Sequence, residues 1–269
     1  MNRSEPIGLL AGAGELPLLF ARRARENGFR VFTAALAGSA SSRLIALSDE
    51  VRWLSVGQLS ALLSFFRKRD VRRAVMLGKV QHGTIFERMK IDLKALSVLI
   101  RLKDRSGPAL LDAIAGEMTK AGVKLIDSRT FLGDALAPKG FLTRRRPDAA
   151  ARDSAVYGLR RARVFAGLDV GQSLLVKQNA VVAVEAVEGT DEAVRRAGKL
   201  AGKGCVLVKV AGPKQDWRFD VPTVGPVTVR ALACIGAAGL VLEAGRTFIL
   251  RREETIALAD RSGLFIWAV

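Results

Sequence analysis

Apolar residues in the first half of the chain occur in short runs that alternate with stretches of helical spacing. The runs at 6–11 and 30–35 predict strands, and 16–26 between them has the spacing of an amphipathic helix that stops at Asn27-Gly28. The same reasoning predicts strands at 49–56, 74–77 and 123–127 and helices at 59–68 and 109–120. Strands that alternate with helices predict a parallel sheet covered on both faces, of the Rossmann-like type.

The second half of the chain begins with a predicted basic helix at 153–166. Only Gln178-Asn179 separates the strands predicted at 173–177 and 180–187, which indicates a hairpin, although one continuous bent strand would give the same pattern. Thr190 is the predicted N-cap of a helix over 192–200. The rest of the pattern predicts a second α/β domain, with strands at 205–210, 240–243, 247–250 and 264–268 and helices at 227–238 and 253–260.

Residues 133–148 show no periodicity and contain two prolines and a run of three arginines, a composition typical of a linker or a long exposed connection. The predicted fold class is therefore α/β with two domains. An N-terminal Rossmann-like parallel-sheet domain spans 1–134, a linker spans 135–147, and a C-terminal mixed α/β domain that carries the acidic motifs spans 148–269.

Charge adds a constraint on partners. The chain of 269 residues has 43 Lys and Arg against 26 Asp and Glu, a formal net charge of +17. Such an excess indicates an anionic partner, namely nucleic acid, an acidic membrane surface or a phosphate-bearing substrate, although a solvated basic surface also accounts for part of it. The stretches 60–73 and 88–103 combine an apolar face with cations, which is typical of membrane-surface helices and equally of core-facing ones.

Cysteine and histidine contribute little chemistry. Cys205 and Cys234 lie in apolar surroundings without metal-type spacing, which predicts small buried residues in a reducing compartment. His82 alone cannot form a zinc site or a histidine relay. The N-terminus reaches glycine soon after its apolar start, so neither an export signal nor a membrane span is expected there and a cytoplasmic location is predicted.

A glycine loop, Gly12-Ala13-Gly14, follows the first strand and precedes a helix, where backbone N–H groups can bind a phosphate. The dinucleotide fingerprint needs a third glycine where Pro17 stands and an acid at the end of the second strand, where 33–37 has none. The loop therefore predicts a phosphate or sugar contact rather than an NAD site. Gly78-Lys79 after the strand at 74–77 is a second candidate, because ligands of parallel sheets lie at strand carboxyl ends.

Carboxylates and cations are interleaved between Gly171 and Gly225, at predicted strand ends and in loops bounded by Gly or Pro. Hard oxygen ligands beside fixed cations favour a metal-assisted reaction on a phosphate ester, because metal and cations share the charge that develops on the oxygens. Each carboxylate could instead cap a turn, and Glu185 could face solvent from its strand. The segment's acids are Glu185, Glu188, Asp191, Asp216 and Asp220, and its cations include Lys209, Lys214 and Arg218.

Five ordered motifs resemble those of LpxI-type UDP-2,3-diacylglucosamine pyrophosphatases. They are G-L-L-A-G-A-G-E-L-P near the N-terminus, L-D-V-G-Q at 168–172, V-E-A-V-E-G-T-D at 184–191, K-Q-D-W-R-F-D-V-P-T-V-G at 214–225 and E-A-G-R-T-F-I-L at 243–250. The resemblance spans nearly the whole chain. It implies hydrolysis of UDP-2,3-diacylglucosamine to 2,3-diacylglucosamine 1-phosphate (lipid X) and UMP in lipid A biosynthesis of Gram-negative bacteria, with Mg²⁺ or another divalent cation such as Mn²⁺.

Carried over to this chain, the resemblance places the acid of the R-F-D-x-P motif at Asp220. The expected catalytic residues are Asp220, Asp191 and Asp216, and the expected metal ligands are Asp220, Asp216 and Glu188. The expected substrate-binding residues are Gly12, Gly14, Gly78, Lys79, Gln172, Thr190, Lys209, Lys214, Gln215 and Arg218.

The resemblance implies a lipid-linked nucleotide sugar as substrate and peripheral contact with the inner membrane of a Gram-negative bacterium. A homodimer is one of the oligomeric states that the sequence allows. Two other classes of protein fit part of the pattern. A nucleic-acid-binding module would explain the net positive charge. The acidic residues of this chain are clustered, however, and such a cluster would repel a phosphate backbone, so no nucleic acid is expected as a partner. A nucleotide-sugar-binding protein without hydrolase activity, or an oxidoreductase, explains the Rossmann-like start but lacks the fingerprint.

Overall fold

The computed structural model describes residues 5–80, 91–104 and 106–269, which form two compact units. The first unit contains Met1–Leu132 and Asp216–Asp220, and the second contains Gly133–Gln215 and Val221–Val269. Asp216 and Asp220, predicted within the C-terminal domain, therefore take part in the first unit. His82 and residues 88–90 of the predicted amphipathic stretch lie outside the described residues.

The first unit is built on a five-stranded parallel sheet with the order β3-β2-β1-β4-β5. The inner strands β1 and β2 are buried along almost their whole length, as expected for a parallel sheet covered on both faces. The predicted α/β class is confirmed. The strands are β1 (Pro6–Ala11), β2 (Arg30–Leu36), β3 (Glu50–Leu54), β4 (Arg73–Leu77) and β5 (Lys124–Leu125), and the helices are α1 (Leu16–Glu26), α2 (Leu44–Leu47), α3 (Leu59–Lys68), α4 (Leu93–Arg101) and α5 (Gly107–Lys120).

Local signals explain where α1 begins and ends. Pro17 lies in its first turn, where a missing N–H costs nothing, and the Asn27 side chain donates to the Arg23 carbonyl at 2.8 Å after its last turn. The helix buries Leu18, Phe20 and Ala24. The core beside α3 and α5 is built on large side chains such as Phe66 and Met118.

The second unit contains a six-stranded mixed sheet with the order β6-β13-β11-β9-β7-β8, and a separate parallel pair of β10 and β12. In the large sheet β9, β11 and β13 are parallel, whereas β6 and β7 run antiparallel to their neighbours. The strands are β6 (Gly140–Phe141), β7 (Ser173–Lys177), β8 (Ala180–Val184), β9 (Val206–Lys209), β10 (Thr223–Val224), β11 (Gly239–Leu242), β12 (Phe248–Ile249) and β13 (Phe265–Ala268).

Helices cover both faces of this sheet. One face packs on α6 (Ala149–Ala166) through residues such as Val208, and the other packs through residues such as Leu207 on α7 (Thr190–Ala201), α8 (Pro226–Cys234) and α9 (Arg252–Arg261). The alternation of Leu207 and Val208 follows from the two-residue period of a strand.

Several local expectations are settled by the structure. The hairpin is confirmed, since Gln178 and Asn179 have φ of 48° and 57°, as a type I′ turn requires. Residues 135–147 are not an irregular linker throughout, because β6 within them pairs with β13. The prediction of Thr190 as the N-cap is wrong. Gly189, with a φ of 84°, occupies the N-cap position, and Thr190 is the first residue of the helix. Cys205 is buried as expected, but Cys234 is exposed at the end of α8.

Among residues 5–80, 91–104 and 106–269, every helix is too short or too polar to cross a membrane.

Candidate active site at the carboxyl ends of the first sheet

The strand order of the first unit creates a switch point between β1 and β4. The chain proceeds from β1 to β2 on one side and later places β4 on the other side. In open parallel sheets, ligands bind outside the carboxyl ends of the strands at such a point. The two loops that leave it are Gly12-Ala13-Gly14 and Gly78-Lys79, the two loops that the sequence singled out.

These two loops are held together by their backbones. Gly12 N–H donates to the Leu77 carbonyl at 2.8 Å, Ala13 N–H donates to the Lys79 carbonyl at 2.7 Å, and Lys79 N–H donates back to Ala13 at 3.0 Å. A Cβ at Gly12 would lie 2.6 Å from the Lys79 carbonyl oxygen, and one at Gly78 would lie 2.6 Å from that of Ala13. Both glycines are therefore required for the close approach of the loops.

Gly14 differs from the other two glycines. Its φ is +107°, and a Cβ added there would meet no heavy atom within 4 Å. Open space beside the start of α1 leaves room for a ligand. Lys79 is exposed in the neighbouring loop, where its ammonium can reach solvent-borne anions.

A third loop at this edge, Asp127-Ser128-Arg129, follows β5 and was missed by the sequence reasoning. Arg129 binds Asp127 through Nη2 to Oδ2 at 2.6 Å and Nε to Oδ1 at 3.0 Å. Ser128 Oγ lies 3.0 Å from the Met76 carbonyl, one residue before the end of β4. The sequence does contain a signal for this loop: polar residues directly follow a predicted strand, as they do at Gly78-Lys79.

The segment 216–220 joins this edge of the first unit. Ser128 N–H donates to the Trp217 carbonyl at 2.8 Å, and Ser128 Oγ donates to the Arg218 carbonyl at 2.8 Å. The Arg129 guanidinium lies 3.9 Å from the centroid of the Trp217 ring, within the range of a cation–π contact. Phe219 is buried in the core of the first unit. The segment is thus fixed beside the carboxyl ends of β4 and β5.

Arg218 links two carboxylates within this unit. Its Nη2 donates to Asp216 at 2.6 Å and to Asp112 of α5 at 2.8 Å. Hydrogen bonding from Arg218 outweighs partial burial and holds the pKa of Asp216 below its ordinary value, while Asp216 and Asp112 raise the pKa of Arg218. Asp216 is therefore an ionised group engaged by arginine, and Asp112 is a partner that the sequence reasoning missed.

Asp220 ends the same segment and is exposed, with φ of 45°. Few residues other than glycine adopt this left-handed conformation, and Asp and Asn are the most tolerant of them. Its chain neighbours Phe219 and Val221 are both buried. Two buried anchors thus hold an exposed carboxylate in an unusual backbone conformation, a combination that recurs at functional sites.

In the second unit, Lys209 and Thr190 belong to a buried network. Lys209 Nζ donates to Ser173 Oγ at 2.9 Å and to Thr190 Oγ1 at 3.0 Å, and it lies 3.4 Å from Glu185 Oε2. Thr190 Oγ1 donates to Glu185 Oε1 at 2.7 Å. Burial alone raises the pKa of Glu185, but the attraction of Lys209 and hydrogen bonds from Ser173, Thr190 and Lys209 outweigh it, so the pKa lies below its ordinary value.

The other predicted residues of the second unit lie around this network and on the next loop. Glu188 accepts from Arg196 at 2.6 Å, and hydrogen bonds from its own backbone N–H, Arg196 and Ala186 lower its pKa. Asp191 lies in the first turn of α7. Gln215 Oε1 accepts from Gly212 N–H at 3.3 Å, Lys214 is exposed, and the Gln172 carbonyl accepts from Val210 N–H at 2.9 Å.

The carboxylates do not form a preassembled metal site in the part of the chain that the structure describes. No three His, Cys, Asp or Glu side chains of that part lie close enough together to hold a metal ion. Asp216 and Asp220 take part in the first unit and Glu188 in the second, and both Asp216 and Glu188 are engaged by arginine.

Comparison with known proteins identifies the family. The LpxI N-terminal domain matches residues 6–135, and the LpxI C-terminal domain matches residues 138–267. The UDP-2,3-diacylglucosamine pyrophosphatase LpxI of Caulobacter vibrioides is 31% identical over 274 residues, which cover 98% of this chain and 97% of that protein.

Solved structures give weaker matches. A biotin carboxylase from Campylobacter jejuni is 12% identical with a TM-score of 0.31, over 72% of this chain and 42% of that one. A phosphoribosylglycinamide synthetase from Anaerococcus prevotii is 13% identical with a TM-score of 0.26, over 71% of this chain and 34% of that one. The chain spans less than half of each, and scores this low support no inference. Because the two domain models together match nearly every residue, the chain belongs to the LpxI family.

Proposed function

We propose that this chain hydrolyses the diphosphate of UDP-2,3-diacylglucosamine to 2,3-diacylglucosamine 1-phosphate (lipid X) and UMP, a step of lipid A biosynthesis. The observation that carries the proposal is the end-to-end similarity to a relative named UDP-2,3-diacylglucosamine pyrophosphatase, 31% identical over 98% of the chain. The substrate would be a lipid-linked nucleotide sugar.

The reaction forms one bond from a water oxygen to a phosphorus atom and breaks the bond from that phosphorus to the bridging oxygen. The bridging oxygen leaves with the other phosphate, and negative charge grows on it. Fixed cations stabilise such charge most when they are already in place. Lys79 and Arg129 lie at the carboxyl ends of β4 and β5, which supports a role for them in holding the diphosphate.

Asp220 is our candidate for the group that orients the attacking water and accepts its proton. A positioned carboxylate in this role contributes about 10²- to 10⁴-fold to rate. Its exposure, its left-handed backbone and its place in the R-F-D-x-P motif support this choice. Asp216 and Asp191 stay predictions as catalytic groups, and so do Gln172, Lys214 and Gln215 as substrate contacts.

Lys209 and Thr190 are assigned a positioning role. Their polar atoms satisfy one another and Glu185 inside the second unit, so they fix the start of α7 against β7 and β9. Arg218 similarly holds Asp216 and Asp112.

Dependence on Mg²⁺, or on Mn²⁺ in its place, belongs to the proposal as a separate prediction. Mg²⁺ is often bound by one or two carboxylates together with substrate phosphates, an arrangement that needs no cluster of three side chains. Peripheral contact with the inner membrane and a homodimer also stay predictions.

The test is release of UMP from UDP-2,3-diacylglucosamine by the wild type and by Asp220→Asn. Asparagine tolerates the left-handed conformation as aspartate does, so this variant removes the charge without the backbone strain that alanine would add. Asp70→Asn is the matched control, because Asp70 is also exposed, also in the first unit and has φ of 53°.

We expect kcat of Asp220→Asn to fall about 10²-fold or more and that of Asp70→Asn to stay near wild type. Adding EDTA and then restoring Mg²⁺ or Mn²⁺ to the wild type tests the metal. If the wild type releases no UMP with either metal, the proposed hydrolase activity is wrong. If the wild type releases UMP and Asp220→Asn does so at the same rate, the hydrolase activity stands and the assignment of Asp220 is wrong.

A further inference from the structure

The segment E-A-G-R at 243–246 directly follows β11, at the carboxyl edge of the second sheet. Its first residue, Glu243, is only 5% exposed although it carries an acidic side chain. Arg246 N–H donates to the Glu243 carbonyl at 3.3 Å and closes a turn, so both side chains leave the same short loop. A buried carboxylate needs partners, because an unpaired charge in a protein interior is costly.

The partners of the Glu243 carboxylate come from two other elements. Arg163 Nε of α6 donates to Oε1 at 3.0 Å, and Ala211 N–H, just beyond the end of β9, donates to Oε2 at 3.0 Å. Arg246 Nη2 donates to the neighbouring Gly212 carbonyl at 2.9 Å, and its Nε lies 3.8 Å from Glu243 Oε2. The turn therefore binds two consecutive residues of one backbone, Ala211 through its N–H and Gly212 through its carbonyl.

The bound backbone belongs to the loop 211–215, which carries Lys214. The Lys214 side chain is exposed and is one of the predicted substrate contacts. The loop is also closed internally, since Gln215 N–H donates to the Gly212 carbonyl at 3.1 Å and Gly212 N–H donates to Gln215 Oε1 at 3.3 Å. A loop has no ladder of strand or helix bonds, so contacts such as these decide its conformation. A cation stabilises phosphate charge best when it is already in place.

We propose that Glu243 is a positioning residue, which together with Arg246 fixes the loop 211–215 so that Lys214 meets the diphosphate of the substrate. β9 and β11 are parallel neighbours, and ligands of such strands bind beyond their carboxyl ends, where this loop begins. Glu243 itself touches no substrate, because its carboxylate is buried among protein groups. This inference rests on the proposed hydrolase activity and on the predicted contact of Lys214.

The first experiment follows the loop without any activity assay. Trypsin cleaves after Lys214 only when local opening exposes the loop, and a new N-terminus at Gln215 identifies this cut by mass spectrometry. Glu243→Gln keeps the shape of the side chain and removes its charge. The matched control is Asp260→Asn in α9 of the same unit, because that partly buried carboxylate also accepts a backbone N–H, from Arg144 at 2.7 Å.

We expect Glu243→Gln to accelerate cleavage after Lys214 about tenfold or more, because hydrogen bonds to a charged acceptor are replaced by weaker ones. Asp260→Asn should leave this cut at the wild-type rate. If circular dichroism shows that Glu243→Gln does not fold, Arg246→Met gives the same test, since this side chain is 38% exposed and its loss frees the Gly212 carbonyl. Unchanged cleavage, or equal acceleration in the control, would overturn the proposal.

The second experiment measures kcat and KM for UMP release by the wild type, Glu243→Gln, Lys214→Met and the double variant. We expect Lys214→Met to raise KM about tenfold and Glu243→Gln to raise it about threefold or more, with kcat near wild type, as for a lost binding contact. In the double variant, Glu243→Gln should add less than about twofold to the KM of Lys214→Met, because it acts through that lysine.

The outcomes separate this inference from the proposed function. Effects of Glu243→Gln and Lys214→Met on KM that multiply in the double variant would show that Glu243 acts by another route, and the positioning role would be wrong although the hydrolase activity stands. A wild type that releases no UMP would instead refute the hydrolase activity itself, and with it the role of the loop in binding this substrate.

Discussion

Replacing Lys209 with methionine distinguishes a lysine that supports the fold from one that meets the substrate. Lys209 is 5% exposed and Glu185 9%, and the ammonium is the counter-charge of that carboxylate. After Lys209→Met, the buried carboxylate keeps the Thr190 hydroxyl as a donor but loses its cation. Breaking a buried ion pair in this way costs about 3–5 kcal/mol, a large part of the roughly 5–15 kcal/mol by which domains are stable.

A second variant isolates the cause of that loss. Lys209→Met combined with Glu185→Gln removes both charges, and replacing a buried pair by neutral groups of similar size is often close to neutral. We therefore expect the double variant to recover about 1–3 kcal/mol relative to Lys209→Met alone, a coupling typical of residues in direct contact.

Urea unfolding followed by circular dichroism gives these free energies, provided that the m value is unchanged. UMP release is measured on the same preparations at a temperature where each variant is folded. We expect a large loss of stability with KM near wild type. A Lys209→Met variant that is as stable as the wild type but has a raised KM would refute the positioning role and restore the predicted substrate contact.

Three further predictions concern stability. Gly12→Ala should destabilise the chain by about 1–3 kcal/mol, because its Cβ would lie 2.6 Å from the Lys79 carbonyl oxygen. Gly116→Ala in α5, where a Cβ meets nothing within 4 Å, should stabilise it by about 1 kcal/mol, and a reversed order in thermal unfolding would contradict both. The pKa of Glu185 is lowered, so its contribution is present above pH ~4.3 and is lost as pH falls through the lowered pKa. The stability difference between wild type and Glu185→Gln should therefore shrink in acid; a pH-independent difference would count against this.

Most helices and strands of both units could be predicted from the sequence because their signals are local. The bounds of α1 and α3 agree with the spacing of apolar residues, and the hairpin follows from two residues that tolerate positive φ. The parallel sheet of the first unit also follows, since alternation of strand and helix leaves few other arrangements. In the candidate site, the same rule located Gly12-Ala13-Gly14 and Gly78-Lys79.

Long-range features of the site could not be predicted in this way. Residues 216–220 carry no periodicity that would assign them to the first unit, and Ser128, which fixes them, lies about ninety residues earlier. Lys209 was expected to meet the substrate because it lies among the carboxylates of the segment 171–225, whereas the structure buries its ammonium against oxygen atoms of Ser173, Thr190 and Glu185. Asp112 was missed since its link to Arg218 joins an ordinary helix position to a distant loop.

Electrostatics also separate the acidic residues that the sequence treated alike. Glu185, Glu188 and Asp216 each form an ion pair, with Lys209, Arg196 and Arg218 respectively, and each has a lowered pKa. A carboxylate whose charged form is held by a cation is a weaker base, because taking up a proton would forfeit that attraction. Asp220 is selected on different grounds, namely an exposed carboxylate, a left-handed backbone between two buried residues and its place in the R-F-D-x-P motif. The three acids with lowered pKa values are therefore suited to hold the local structure, and Asp220 stays our prediction for the acid whose charge matters for the reaction.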